Sequence, residues 1–287
     1  MRSRSPLAEA SGTMDAVVGL EGTTTEVAVG VAASLPDGAP RPTVSDVAAW
    51  RQARVQVVLL ALVCFCCPGM FNALASMGGG LSDQSVVANS TAALYAVFVA
   101  SSLAAPVACR QLGPRLALFG GTLGYAVFVV AIVAYQQGRV GEWVVVACGA
   151  INGLSAGLLW TAQGQLVMAY PSADTKGWFL AIFWLIFNLG AVFGGVLTAV
   201  TNWSSDAPAA SGRTYAGFLA VMACGSLLAL LLADPATVVR PDGSHVQIAV
   251  AAQRRHTGGP RGAALEEAKL IARAAAQPWL LLLMPLA

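Results

Sequence analysis

Charge is scarce in this 287-residue chain: Asp, Glu, Lys and Arg make up 10% of it, against roughly 25% in a soluble domain. Histidine is scarcer, with two residues, His245 and His256. Hydrophobic side chains supply 57% and the mean hydropathy is +0.69, which places the chain among membrane proteins. Six apolar runs are each long enough for the roughly 20 residues that a hydrocarbon core demands. They are Val55 to Met77, Thr91 to Ala108, Leu116 to Tyr135, Trp143 to Ala169, Trp178 to Val200 and Tyr215 to Ala233, and none contains an acid, a Lys, an Arg or a His.

That gap in the inventory excludes several chemistries. Intramembrane proteolysis needs a His-Glu-x-x-His pair, two membrane Asp, or a Ser with a His base, and the runs offer none of these. The two His lie in a loop without a folded partner, so no catalytic residue is expected. Proton coupling ordinarily needs an intramembrane carboxylate or His, which is also missing. Cys64, Cys66 and Cys67 form a C-F-C-C cluster in the first run, with Cys109, Cys148 and Cys224 elsewhere. With no His near them they read as small buried hydrophobes, and neither a metal site, a cofactor nor a disulfide framework is expected. No nucleic-acid partner is expected either.

A cleaved signal peptide does not fit, because the first apolar run begins only at Val55 and is too long for one. Residues 1–50, with Pro36, Pro40 and Pro42 among acids, read as a disordered cytoplasmic tail. Lys and Arg set orientation, since they are retained on the cytoplasmic side. With the amino terminus inside, only Arg139 and Arg213 of the 16 basic residues fall on the outer side. Two N-x-S/T triplets, at Asn89 and Asn202, fall in outer connections in the same arrangement and are candidate glycosylation sites. Plasma membrane and endomembrane are not distinguished.

The organisation is then a six-helix transmembrane domain over 51–233 and a cytoplasmic loop over 234–277. Ala263 to Ala276 in that loop has the pattern of an amphipathic surface helix. Residues 278–287 read "PWLLLLMPLA". The nine after Pro278 rise only about 14 Å as a helix, half a hydrocarbon core, and are expected to begin a truncated seventh helix.

Gly69-x-x-Asn72-x-Leu74 in span one recurs as Gly149-x-x-Asn152-x-Leu154 in span four, a trace of an internal repeat. Six helices followed by a long inner loop is the layout of one half of a major facilitator, whose halves each contain inverted three-helix repeats. The stretches "CPGMFNALASMGGG" (67–80), "LGPRLALFGGTLGYA" (112–126), "LLWTAQGQLVMAYP" (158–171) and "KGWFLAIFWLIFNLGAVFGG" (176–195) are similar to the Unc-ninety-three-like branch of that superfamily. The resemblance implies an all-α membrane protein, the amino-terminal six-helix half of a facilitator plus part of a seventh helix. It also implies that spans one, two, four and five surround a central cavity. Of the facilitators' Gly-x-x-x-Asp-Arg-x-Gly-Arg-Arg loop between helices two and three, this chain keeps only Arg110, Gly113 and Arg115.

The amides inside the apolar runs are the polar residues that need a reason. At about 100° per residue, Gly149, Gly153, Gly157 and Gly164 share one face of span four with Asn152, Trp160 and Gln163. Span five carries Trp184 and Asn188, with Gly190 and Gly194 four residues apart. Gly149, Gly153, Gly157, Gly190 and Gly194 suit close helix packing, and amides on such faces serve either as interhelical bonds or as a cavity lining. Asn72, Asn152, Trp160, Gln163, Trp184 and Asn188 are the expected lining of a cavity for a neutral or weakly polar solute. The resemblance also includes members that escort receptors or regulate channels. A solute, a membrane-protein partner and the lipid bilayer are therefore the expected partners.

Overall fold

The computed structural model describes residues 49–77, 81–203, 211–246 and 269. The expected tail, the loop beyond residue 246 apart from Lys269, and the expected seventh span lie outside them. Six helices are long and apolar enough to cross a membrane: Ala53–Ser76, Gln84–Leu112, Pro114–Gln136, Glu142–Ala169, Ala173–Thr201 and Gly212–Leu231. They correspond in order to spans one to six, and no strand occurs among the described residues.

Local chemistry explains the ends of the helices. Asp83 caps span two, its carboxylate accepting from the Ser85 and Val86 amides at 3.0 and 3.4 Å and from the Ser85 hydroxyl at 2.8 Å. The Ser85 bond leads the causes that hold its pKa below the usual carboxylate value. Spans two and three meet at Gly113, whose φ of +82° few other residues tolerate, and Pro114 then opens span three at its first turn. Span one is interrupted: Pro68 lies in a π-helical turn, Phe65–Gly69, between helical segments Ala53–Cys64 and Met70–Ser76. Pro has no amide hydrogen to donate, so the helix widens around it.

Span four packs between spans two and three, and span one packs against spans five and six. Spans three and six also meet. Exchanging one with four, two with five and three with six maps these main pairs onto one another, an internal two-fold relation. Glycines make the close approaches. A Cβ on Gly149 would lie 2.6 Å from the Ser90 carbonyl oxygen, and those on Gly153 and Gly157 would overlap the Leu94 carbonyl and the Ser101 hydroxyl of span two. In the symmetry-related contact, a Cβ on Gly190 would lie 2.5 Å from the Phe65 carbonyl oxygen and one on Gly194 would lie 2.5 Å from Ala73. Span one is the most enclosed helix, and spans two and five the least.

After span six the chain turns back beneath the end of the bundle that carries Arg54, Arg115 and Lys176, termed the inner end after the orientation expected from the basic residues. Val239 exchanges backbone hydrogen bonds with Arg51 and Ala53 at 2.9 and 3.0 Å, and Val238, Val239 and Val246 are buried. Residues 232–246 thus form a short strap rather than the start of a free loop.

Candidate functional site

Span five places Asn188 fifteen residues from its first residue and thirteen from its last, near mid-membrane. Its side chain is exposed, and its amide nitrogen donates to the Trp184 carbonyl at 2.8 Å. Trp184, 48% exposed, stacks on Trp160 with ring centroids 6.5 Å apart and planes 25° apart. Phe187 meets Trp160 edge-on at 5.5 Å and Trp184 at 5.6 Å. An aromatic cluster therefore closes the inner half of the gap between spans four and five, with an amide on its exposed side. Trp160, Trp184 and Asn188 come together in this way.

The other three expected residues are placed differently. Asn72 is exposed one residue before Ala73, which packs on Gly194. Gln163 is buried, and Asn152 is wholly enclosed. The Asn152 backbone lies against span three, where a Cβ on Gly124 would stand 3.1 Å from the Asn152 Cα. Neither its amide nitrogen nor its oxygen has a hydrogen-bond partner among the described residues. The glycine seam of span four thus faces span two, and Asn152 lies beside the seam.

A cleft of about 520 Å³ opens at the outer end between spans one, two and three. Its walls include Phe71, Leu74, Tyr95, Phe128 and Ile132, with Gln84 among the few polar side chains, and it contains none of the six expected lining residues. Among the described residues no three His, Cys, Asp or Glu side chains come close enough to hold a metal.

Residues 88–287 match the family described as ion channel regulatory protein UNC-93. The chain belongs to the UNC-93 family. Its relatives include an UNC93-like protein of Schizosaccharomyces pombe, 40% identical over 201 residues that cover 70% of this chain and 40% of that protein. UNC93-like protein 1 of Arabidopsis thaliana is 39% identical over 191 residues, covering 66% of this chain and 41% of the relative. An UNC93-like protein, MFSD11, of Xenopus tropicalis is 26% identical over 149 residues, covering 51% and 32%. The chain spans about 40% of the length of the first two relatives. No solved structure matches it.

In this UNC-93 chain the two glycosylation candidates have unlike surroundings. Asn89 is exposed in the second turn of span two. Asn202 ends span five with its amide engaged: the nitrogen donates to the Thr198 carbonyl at 3.1 Å and the Thr214 hydroxyl at 3.0 Å, and the oxygen accepts from the Ser211 amide at 3.0 Å. Those bonds tie spans five and six together at the outer end.

Sequence reading missed several polar residues at the inner end. Gln56 is fully buried, donates to the Trp50 carbonyl at 2.6 Å and accepts from the Ala233 amide at 3.0 Å. Arg240 donates from Nε to the Ala169 carbonyl at 3.0 Å, at the last residue of span four. Arg115 donates to the Leu230 carbonyl of span six. Each satisfies a backbone group at a helix end that has no partner within its own helix. The one advance signal was basic residues close beyond the ends of apolar runs.

Proposed function

We propose that this chain forms one wall of a membrane pathway for a neutral or weakly polar solute, as a six-helix half of a major facilitator-type transporter working by alternating access. The observation that carries the reading is Asn188, exposed near mid-membrane beside the half-exposed Trp184. A primary amide at that depth is costly against lipid, so its face belongs to a water-filled cavity or to protein. Aromatic rings beside one convergent amide suit recognition of an uncharged molecule. The absence of ionisable groups within the apolar runs fits a neutral cargo, and the internal two-fold relation fits inverted repeats. The amino terminus lies on the cytoplasmic side in this reading.

A second reading follows from the same face and from the family's description as channel-regulatory. There the Asn188 and Trp184 surface binds a membrane-protein partner, and no solute moves. Solute uptake, partner capture and thermal melting, each measured on the full-length protein with Asn188→Ala and Trp184→Ala, separate the two. For Asn188→Ala the melt should change by no more than the roughly 0.6 kcal/mol of an average membrane hydrogen bond. Uptake falling well beyond that loss supports the pathway. No uptake by the unsubstituted protein, with partner capture lost in the variants, supports the second reading, and activity that only tracks folded protein overturns both.

A further inference from the structure

We propose that the outer cleft between spans one, two and three is a binding site for one acyl chain of a phospholipid in the adjacent leaflet. The cleft shares no residue with the Asn188 surface, so the proposal stands apart from either reading of function. Its dimensions point to a single chain. The cleft begins at Leu81 and Gln84 at the outer end, and the wall on span two runs from Gln84 to Tyr95, eleven residues further on, which is about 16 Å of helix. On span three it reaches Phe128, eight residues or about 12 Å from the end at Gln136. One leaflet is half of a hydrocarbon core of about 30 Å, so the cleft is about one leaflet deep.

The lining suits hydrocarbon better than a polar molecule or water. Phe71, Leu74, Phe128 and Ile132 provide apolar walls, and the Ser90 hydroxyl is occupied by the Val87 carbonyl of its own helix at 3.1 Å. Water would need two to four polar partners, and apolar side chains make up most of these walls. Thr91 and Tyr95 place hydroxyls along the wall on span two, and at the outer end Gln84 adjoins Asp83, whose carboxylate accepts from the Tyr135 hydroxyl at 3.4 Å. A chain within and a headgroup above is the arrangement of a phospholipid.

The internal two-fold relation shows why this gap is open. Its counterpart, the inner half of the gap between spans four and five, is closed by Trp160, Trp184 and Phe187. Spans one and two make little direct contact, and no comparable aromatic stack joins them among the described residues. Lipid chains are as apolar as the walls, so shape rather than hydrophobic transfer holds the chain there.

The test uses the full chain in phosphatidylcholine vesicles containing a small fraction of phosphatidylcholine with a photoactivatable diazirine in one acyl chain. Labelled residues are mapped by mass spectrometry. Phe71, Val87 and Tyr95 should be labelled in preference to Val127 and Val130, exposed on span three in the same leaflet. Ala92 and Ala88 are exposed residues of the cleft lining, so Ala92→Trp or Ala88→Phe fills it from the open side. Either should lower cleft labelling to the level at Val127 and Val130 while the melt is kept. Two variants guard against a fold defect in one, and the wild-type comparison needs neither. Equal labelling of the cleft and span three, or cleft labelling unmoved by both fillings, would show ordinary annular lipid and overturn the site.

Discussion

Asn152 is a completely enclosed polar side chain whose amide has no hydrogen-bond partner among the described residues. Leaving a buried polar group unpartnered costs about 1–3 kcal/mol, whereas an apolar replacement of similar size recovers most of that cost. Asn152→Leu is therefore expected to raise stability by about 1–2 kcal/mol in a detergent unfolding titration. Asn152→Ala should change it less, because the cavity it leaves offsets the gain. A stability loss on Asn152→Leu would mean that the amide has a partner after all, such as a bridging water. A more stable but inactive Asn152→Leu would mean that function uses the unpartnered amide. The amides of spans one, four and five were legible in the sequence as residues needing a reason. Their fates were not, because exposure of Asn188 and enclosure of Asn152 depend on the neighbour at each flank, and helical periodicity gives only a direction.

Helices are where the sequence was most informative, since length and apolarity alone fix six spans in a bilayer. Span two was read too short: its helix begins at Gln84, seven residues before Thr91, because Asp83 supplies an N-cap that a count of apolar residues ignores. Glycine spacing located close-packed faces but did not say which glycines touch a neighbour. Gly153 would thrust a Cβ into the Leu94 carbonyl, a backbone atom that cannot swing aside, whereas Gly164, on the same side of the helix by periodicity, has nothing within 4 Å. Gly153→Ala should thus destabilise by about 1–3 kcal/mol through overpacking. Gly164→Ala should stabilise by about 0.5–1 kcal/mol through restricted backbone freedom. Opposite signs in parallel melts are the expected result; equal losses would mean that both glycines are pressed against neighbours.

At the scale of the whole molecule spans one, four and six are tied together at the inner end by residues that a hydropathy reading assigns to a loop. The strap was illegible because it is short, mixed in polarity and held by side chains to helix ends. Its turn is set by Gly243, at φ +78°, and by Asp242, which accepts from the Ser244 amide at 2.9 Å and hydroxyl at 2.7 Å. Burial opposes ionisation of Asp242, but the Ser244 bonds and the Arg240 charge outweigh it and lower its pKa. A carboxylate with a lowered folded pKa stabilises above its unfolded value near 3.9 and loses that contribution as pH falls through the folded value. The turn should therefore hold throughout the neutral range and loosen only in acid. Arg240 completes the strap by placing a cation on the last carbonyl of span four, where the helix dipole favours it. Arg240→Ala removes a charge-assisted bond of about 1.5–3 kcal/mol, and Arg240→Lys, lacking the guanidinium Nε, should restore only part of it. Amide exchange at 238–246 and at the end of span four should rise together in Arg240→Ala, while exchange at the outer Asn202 tie stays unchanged. Faster exchange in 238–246 alone would show that the strap follows span four without holding it.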